Sequence, residues 1–468
     1  METIVQALQL ARRGYLIAPA GCGKTEIIVN AISGSSGRQL ILTHTHAGVD
    51  SLRKRLRKLG VSGRQYHIDT IASWSYRLCH SYPQLSKIIE EFPMSNEDWN
   101  KVYEGTLALL GLPFIKEVIR NSYTAVYIDE YQDCTVIQHN IVLKLSTLLD
   151  IKLLGDPLQG IFDFNGEIVN WESDIFPYFD KLPELEVPWR WLNANNNELG
   201  TWLLEVRERL IKNQPVNLTT APKSVSWHRL VNFDDYTALI KHCINGLRLE
   251  GNVMIIHQTA AQCHLLAMKL GGRYKSMDEM QANDLIQRTL NFQSTTGRLR
   301  AKEVIDFISK SMTKVSTELL TIRKQLSQDK AIHSIKYPEI AEQIKQITID
   351  DSFAHILRLM EIIENTFGIA NIYRAELWFE MKRSIKYLLD CNLDKLSDAA
   401  WLVRNKTRVI GRIIPSRSIS RTLLVKGLEF EHVIIVDADK FNTKNLYVAL
   451  TRASKSISIW SKTSILNS

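Results

Sequence analysis

The stretch LIAPAGCGKTEIIVNAI, residues 16–32, decides how this chain is read. An apolar run leads into two close glycines, a Lys-Thr pair and then a helical pattern. Strand, tight loop and helix in that order are the context a phosphate-binding loop requires. Gly21 and Gly23 let the backbone bend close to a polyphosphate, so that successive amides point at the anion. The helix that follows adds its N-terminal amides and dipole to the same charge. Lys24 is placed to reach the β- and γ-phosphates, and the Thr25 hydroxyl to help hold Mg²⁺. Ala18 stands where the general GxxxxGK[ST] pattern has its first glycine. A glycine-rich turn with a chance lysine is the bland alternative. It leaves the agreement of strand, glycines, Lys-Thr and helix unexplained.

A second stretch, AVYIDEYQDCTVIQ (125–138), runs from an apolar strand-like segment straight into Asp129, Glu130 and Asp133. Alone, these acids suit a solvated loop, a metal site or a phosphate-handling site. Adjacent acids at a strand end are costly to bury unpaired. A P-loop nucleoside triphosphatase needs an acid for Mg²⁺ and a base to orient the attacking water. With Lys24 in view, Asp129 suits the first task and Glu130 the second.

The chain has 468 residues, more than one hydrophobic core sustains, so two to four domains are expected. Hydrophobic residues make up 45% and charged residues 23%, which excludes a disordered chain. A formal charge of +8 favours polyanionic partners. Part of that charge is local, in SLRKRLRKLG (51–60). There Leu52, Leu56 and Leu59 recur at helical spacing, predicting a helix with one buried stripe and a basic remainder. A solvated helix face is the plain alternative for that remainder.

The six cysteines show no CxxC pairing, and reduced cytosolic thiols are the simplest reading. METIVQALQL at the start has no signal-peptide character, and no apolar run reaches the length of a membrane span. A cytoplasmic protein without a membrane partner is expected.

Strand-like runs recur at 14–18, 38–43, 125–129, 151–155, 252–257, 432–438 and 456–460, separated by helical patterns. That arrangement predicts an α/β fold with parallel sheets covered on both faces. Residues 275–405 differ. AKEVIDFISKSMTKVSTELLTIRKQL (301–326) offers Val304, Ile308, Val315, Leu319 and Ile322 as one stripe, and the region reads as a helical insertion.

An ordered series of motifs now spans nearly the whole chain and resembles the UvrD/Rep/PcrA-like helicases of superfamily 1A. APAGCGKT (18–25) is similar to their AxAGxGKT loop, LTHTHAGVDSLRKRL (42–56) to TFTNKAAxEMxxR, and DTIASWSYRL (69–78) to GTFHxxxxRL. IDEYQDCTVIQ (128–138) resembles VDExQDTxxxQ, and LGDPLQGIFDFNG (154–166) resembles VGDxxQSIYxWRG. LEVPWRW (185–191), LLVKGLEF (423–430) and YVALTRASK (447–455) follow in family order, similar to LxxNYRS, LHxxKGLEF and YVAxTRAxx.

The resemblance implies two RecA-like P-loop domains with parallel sheets, a short helical insertion in the first and a larger one in the second. The implied bounds are 1–80 with 122–172 for the first domain and 81–121 for its reduced insertion. They are 173–274 with 406–468 for the second domain and 275–405 for its insertion. The cofactors implied are ATP and Mg²⁺.

Residue roles carry over position by position. Ala18, Pro19, Ala20, Gly21, Cys22, Gly23, Lys24 and Thr25 would cradle the nucleotide, with Thr25 and Asp129 holding the metal. Gln6 would read adenine, Trp189 stack on it, and Glu429 contribute nucleotide and inter-domain contacts. Gln159 would sense the γ-phosphate. Arg190 and Arg452, delivered by the second domain, would act as arginine fingers. Gln132 and Asp133 belong to the same signature as coupling residues. Thr43, His44, Thr45, Thr70, Phe162 and Phe164 would touch single-stranded DNA, the two phenylalanines projecting from one face of an extended segment to stack bases.

The implied activity is ATP-driven movement on single-stranded or tailed duplex DNA, with 3′-to-5′ polarity. Departures from the family pattern are the short 81–121 segment, Asn165 for Arg, Pro188 for Asn and Leu423 for His. They bear on duplex unwinding rather than on phosphate chemistry. The compact size is also similar to UvrD-like helicases of phage-defence operons, such as the helicase subunit of Gabija systems. That likeness implies an OLD-type nuclease partner and an ATP-gated sensor role as the alternative to a motor.

Overall fold

A computed structural model describes residues 2–88, 96–161, 167–277, 280–410 and 414–466. Phe162 and Phe164, expected to stack bases, lie outside the described residues. By its contacts the chain forms two compact units. One takes residues 1–216, 442–455 and 467–468, and the other takes 217–441 and 456–466. Residues 173–216 and 442–455, expected in the second domain, therefore group with the phosphate loop.

The first unit is built on six strands: β1 (Arg13–Ile17), β2 (Gln39–Thr43), β3 (Tyr66–Thr70), β4 (Ala125–Ile128), β5 (Asp150–Gly155) and β6 (Asp180–Lys181). Their spatial order is β3-β2-β4-β5-β1-β6, and all neighbouring pairs are parallel. Side chains alternate between two cores, as the period of a strand requires. Leu40, Leu42, Val126, Ile128, Ile151 and Leu153 enter one. Ile41, Ala125, Tyr127 and Leu154 enter the other with Ile27, Ile28, Leu52 and Leu56. Both faces are covered, which is why these strands read as continuous apolar runs. Helices Asn96–Gly111 and Pro113–Ser122, within the segment expected as an insertion, supply Tyr103, Leu109, Ile115 and Ile119 to the first of these cores.

The second unit holds another six-stranded sheet. In spatial order its strands are Lys275–Ser276, Arg417–Ser420, Val253–Ile256, Phe430–Val436, the part of Ala453–Ser461 from residue 456 on, and Val225–Arg229. Val253, Ile255, Ile419, Ile434 and Val436 pack with Leu239 and Leu266. Two parallel sheets layered with helices make the α/β fold that the sequence predicts. The helical region between residues 280 and 410 has a core of its own, in which Val304, Ile308, Val315, Leu319 and Ile322 are all buried. The expected single stripe is divided among helices Gly297–Ser311, Val315–Glu318 and Leu320–Ser327. The break follows from Met312, which bridges to Ile372, and from Lys314, whose φ is 71°. Among the described residues no helix is long and apolar enough to cross a membrane.

Candidate nucleotide site

The loop after β1 has the backbone expected of a phosphate-binding loop. Gly21 and Gly23 have φ of +74° and +89°, and Gly23 caps the helix Lys24–Ser33. A Cβ on Gly21 would lie 2.7 Å from Trp191 Cζ3, and one on Gly23 would lie 3.2 Å from Trp189 Cδ1. Glycine is required here on both counts, conformation and space. The helix Trp189–Asn193 docks on the loop through Arg190 N, which donates to Gly21 O at 3.1 Å. The Trp191 indole is buried and donates to Ala453 O at 2.7 Å. Trp189 stays 38% exposed, so part of its ring is open beside the loop.

β4 delivers the acids. Asp129 is 5% exposed and its amide continues the sheet to Leu42 O at 2.9 Å. Glu130 then turns into the left-handed region, φ 57° and ψ 42°, opening a 3₁₀ turn over Tyr131–Asp133. A non-glycine residue pays about 1–2 kcal/mol there, a strain that clusters at functional sites. The turn brings Glu130 Oε1 to 2.5 Å from Lys24 Nζ, while Asp129 Oδ1 lies at 3.5 Å. Burial works against the Lys24 charge, but Glu130 and Asp129 outweigh it and hold the ammonium above its usual range. Burial pushes the Asp129 carboxyl up to about 6, with Lys24 opposing. Glu130 takes the short contact, so Asp129 keeps more of its desolvation cost.

From Glu130 a buried chain of polar groups leads away. The Gln132 amide donates to Glu130 Oε2, and its carbonyl accepts from Asp156 N at 3.0 Å. Asp156 Oδ2 accepts from Gln159 Nε2 at 3.1 Å, and Gln159 Oε1 accepts from Arg452 Nη2 at 3.4 Å. Arg452 is 1% exposed and also donates to Val448 O at 2.9 Å. Arg190 Nη1 donates to Thr451 O at 2.6 Å, beside it. The geometry thus joins Lys24, Asp129, Glu130, Gln132, Gln159 and Arg452 in one network, with Arg190 next to its end.

Three members of this neighbourhood were not anticipated. The Tyr447 hydroxyl accepts from Ala20 N at 3.1 Å and feels the Asp156 charge. Arg207, from helix Asn197–Ile211, reaches Asp156 Oδ1 with Nη2 at 3.2 Å. Asp156 itself is fully buried. Tyr447 and Asp156 stand inside recognised motifs and were legible as candidates, whereas no motif signals Arg207.

Other expected site residues fall elsewhere. Gln6 is exposed on helix Glu2–Leu10, and it is Gln9 that donates to Ala31 O at 2.7 Å. Glu429 is exposed and belongs to the second unit. Thr43 is buried in β2. Thr45 and Thr70 cap the helices His46–Lys58 and Ile71–Ser81, accepting from Gly48 N and Ser73 N. His44 Nε2 is 3.4 Å from Cys134 Sγ. In the basic helix the buried stripe is Val49, Leu52 and Leu56. Leu59, expected in it, is 49% exposed because the helix ends at Lys58. All six cysteines are free.

Among the described residues no cluster of three or more His, Cys, Asp or Glu could hold a metal by itself. A cation bound through one hydroxyl, one carboxylate and substrate oxygens needs no such cluster. Thr25 and the buried Asp129, which shares Lys24 with Glu130 at the longer distance of 3.5 Å, have the donor chemistry for it.

Residues 98–172, which contain Asp129, Glu130, Gln132 and Gln159, match the UvrD/REP helicase N-terminal domain. The RecBCD enzyme subunit RecB of Buchnera aphidicola subsp. Acyrthosiphon pisum is 25% identical over 291 residues, covering 53% of this chain. The match spans 24% of that relative's length. Among solved structures, the DNA complex of arterivirus nonstructural protein 10, a helicase, shows 10% identity and a TM-score of 0.36, covering 98% of this chain and 63% of that one. The PRRSV helicase gives 10% and 0.34, covering 98% and 54%. At such scores the two structures carry no argument about this chain.

Proposed function

We propose, from the premise that this chain is a UvrD-like helicase of superfamily 1, that it hydrolyses ATP to move 3′ to 5′ along single-stranded DNA. The observation that most supports the reading is the Lys24–Glu130 contact at 2.5 Å, made by a residue held in the left-handed region. A lysine bridged to two acids at a phosphate loop is poised to exchange them for phosphate oxygens. Glu130, once released, is free to orient a water against the γ-phosphate and accept its proton. Thr25 and Asp129 would hold Mg²⁺, which when bound neutralises charge on the β- and γ-phosphates. Arg190 and Arg452 would stabilise charge developing on the transferred phosphoryl group. The Glu130–Gln132–Asp156–Gln159–Arg452 chain gives a route by which the state of the phosphate reaches the segment 154–166, similar to a DNA-contacting motif.

The test is ATP turnover with and without single-stranded DNA, beside Lys24→Ala. We expect DNA to stimulate the wild type and the variant to lose about a hundredfold or more. No DNA-stimulated turnover in the wild type would sink the motor reading. Strand displacement from 3′- and 5′-tailed duplexes then reads polarity. Stimulated turnover without displacement from either tail would favour an ATP-gated sensor for a nuclease partner.

A further inference from the structure

Resting on that reading of the nucleotide site, we infer that Arg207 is a positioning residue for ATP hydrolysis, acting through Asp156 on both Gln159 and Tyr447. Three observations carry it. Arg207 is 5% exposed and Asp156 fully buried. Their contact at 3.2 Å is a buried ion pair rather than a surface one. Burial opposes the guanidinium charge, but Asp156 outweighs it and raises the Arg207 pKa. Arg207 Nε has no acceptor, and its other carboxylate partner, Glu208 at 3.5 Å, is largely exposed. The pairing with Asp156 is therefore what justifies the burial of this charge.

Asp156 spends its remaining capacity on the site. One oxygen accepts from Gln159 Nε2 at 3.1 Å, which turns the Gln159 carbonyl toward Arg452. The Tyr447 hydroxyl feels the Asp156 charge, and burial together with that charge keeps the phenol protonated. The Tyr447 oxygen accepts from the Ala20 amide at 3.1 Å. The Ala20 amide is thus occupied by the protein, and the loop is braced from behind. One carboxylate reaches into the site, and Arg207 is the charge that holds it in place.

A positioning error of about 1 Å costs up to roughly a hundredfold in rate. The structure therefore predicts a split between rate and binding. In Arg207→Lys the charge survives but the forked geometry is lost. We expect kcat to fall about tenfold while KM for ATP stays within about twofold. The fall should be non-additive with Gln159→Ala, because both act through one side chain. Tyr447→Phe, which keeps the ring and removes the hydroxyl, should raise KM instead.

The experiment measures steady-state ATP turnover, with saturating single-stranded DNA, for the wild type, Lys24→Ala, Arg207→Lys, Gln159→Ala and the Arg207→Lys/Gln159→Ala double variant. Circular dichroism melts check that each variant is folded. A fold loss in the double variant equal to that of Gln159→Ala alone supports the inference. If Arg207→Lys is folded with unchanged kcat while Lys24→Ala is dead, the inference falls and the ATPase reading stands. Losses that multiply in the double variant also overturn it. Should Arg207→Lys fail to fold, Arg207→Met combined with Asp156→Asn, which removes both buried charges, takes its place. That pair must lose kcat as Gln159→Ala does, and wild-type kcat in it overturns the inference. A wild type without ATP turnover overturns reading and inference together.

Discussion

At the end of β4, Asp129 is followed by Glu130 at φ 57° and a 3₁₀ turn. At the end of the strand Phe430–Val436, Asp437 takes φ 56° and ψ 46° and opens a 3₁₀ turn over Ala438–Lys440. The backbone device is the same, and the chemistry is not. In the first unit the acids meet a lysine from a glycine-rich loop and Asp129 is buried, so it is pushed up to about 6. In the second, Asp437 accepts from His257 at 3.2 Å and from Lys440 at 2.7 Å, partly open to water, and is held at about 2. Strand Val253–Ile256 ends in His257, Gln258 and Thr259, and no glycine-rich loop follows it. The same strained strand end therefore stands in two different settings, and only the first has a glycine-rich loop and its lysine beside it.

The sharpest way to break this comparison is to remove one charge at each strand end. Glu130→Gln should lower ATP turnover by roughly 10²–10⁴-fold, the range for a lost general base, whereas Asp437→Asn should leave kcat within about twofold. Equal losses in a steady-state assay would dissolve the distinction.

A smaller effect separates two left-handed glycines. Gly21→Ala and Gly427→Ala both strain the backbone, at φ +74° and +78°, but only Gly21 has a neighbour, Trp191, at 2.7 Å. Both should lose about 1 kcal/mol or more in chemical denaturation. Only Gly21→Ala should also weaken nucleotide binding, by about tenfold, measured by titration with a fluorescent ATP analogue.

The smallest effect is on acid stability. The Asp437 pKa is depressed from 3.8 to about 2 by His257, with Lys440 adding to it. The sign follows: its contribution is fully present above 3.8 and is lost as pH falls toward 2. Because its partner Lys440 is half exposed, the contribution is about 1 kcal/mol or less. Denaturation curves of Asp437→Asn should fall below the wild type at pH 6 and converge with it near pH 2.

Legibility in the sequence followed burial and contiguity. β2, β4 and β5 are covered on both faces, so QLILT, AVYI and DIKLLG announce themselves as apolar runs. β3 reads YHIDT and the strand Val225–Arg229 reads VSWHR. Both lie at sheet edges, where polar residues are tolerated and the pattern disappears. Lys314 and the Met312–Ile372 bridge, which divide the expected stripe, leave no punctuation such as Pro or Gly to read.

By itself the sequence determined the phosphate loop, the acids that face it and the order of the family motifs. Those depend on residue types a few positions apart on one strand, turn or helix. Only the tertiary structure decided what holds them. Tyr447 meets Ala20 across 427 residues and Arg207 meets Asp156 across 51. A hydrogen bond and an ion pair at such separations exist only because burial removes water from both partners, and burial is a property of the fold.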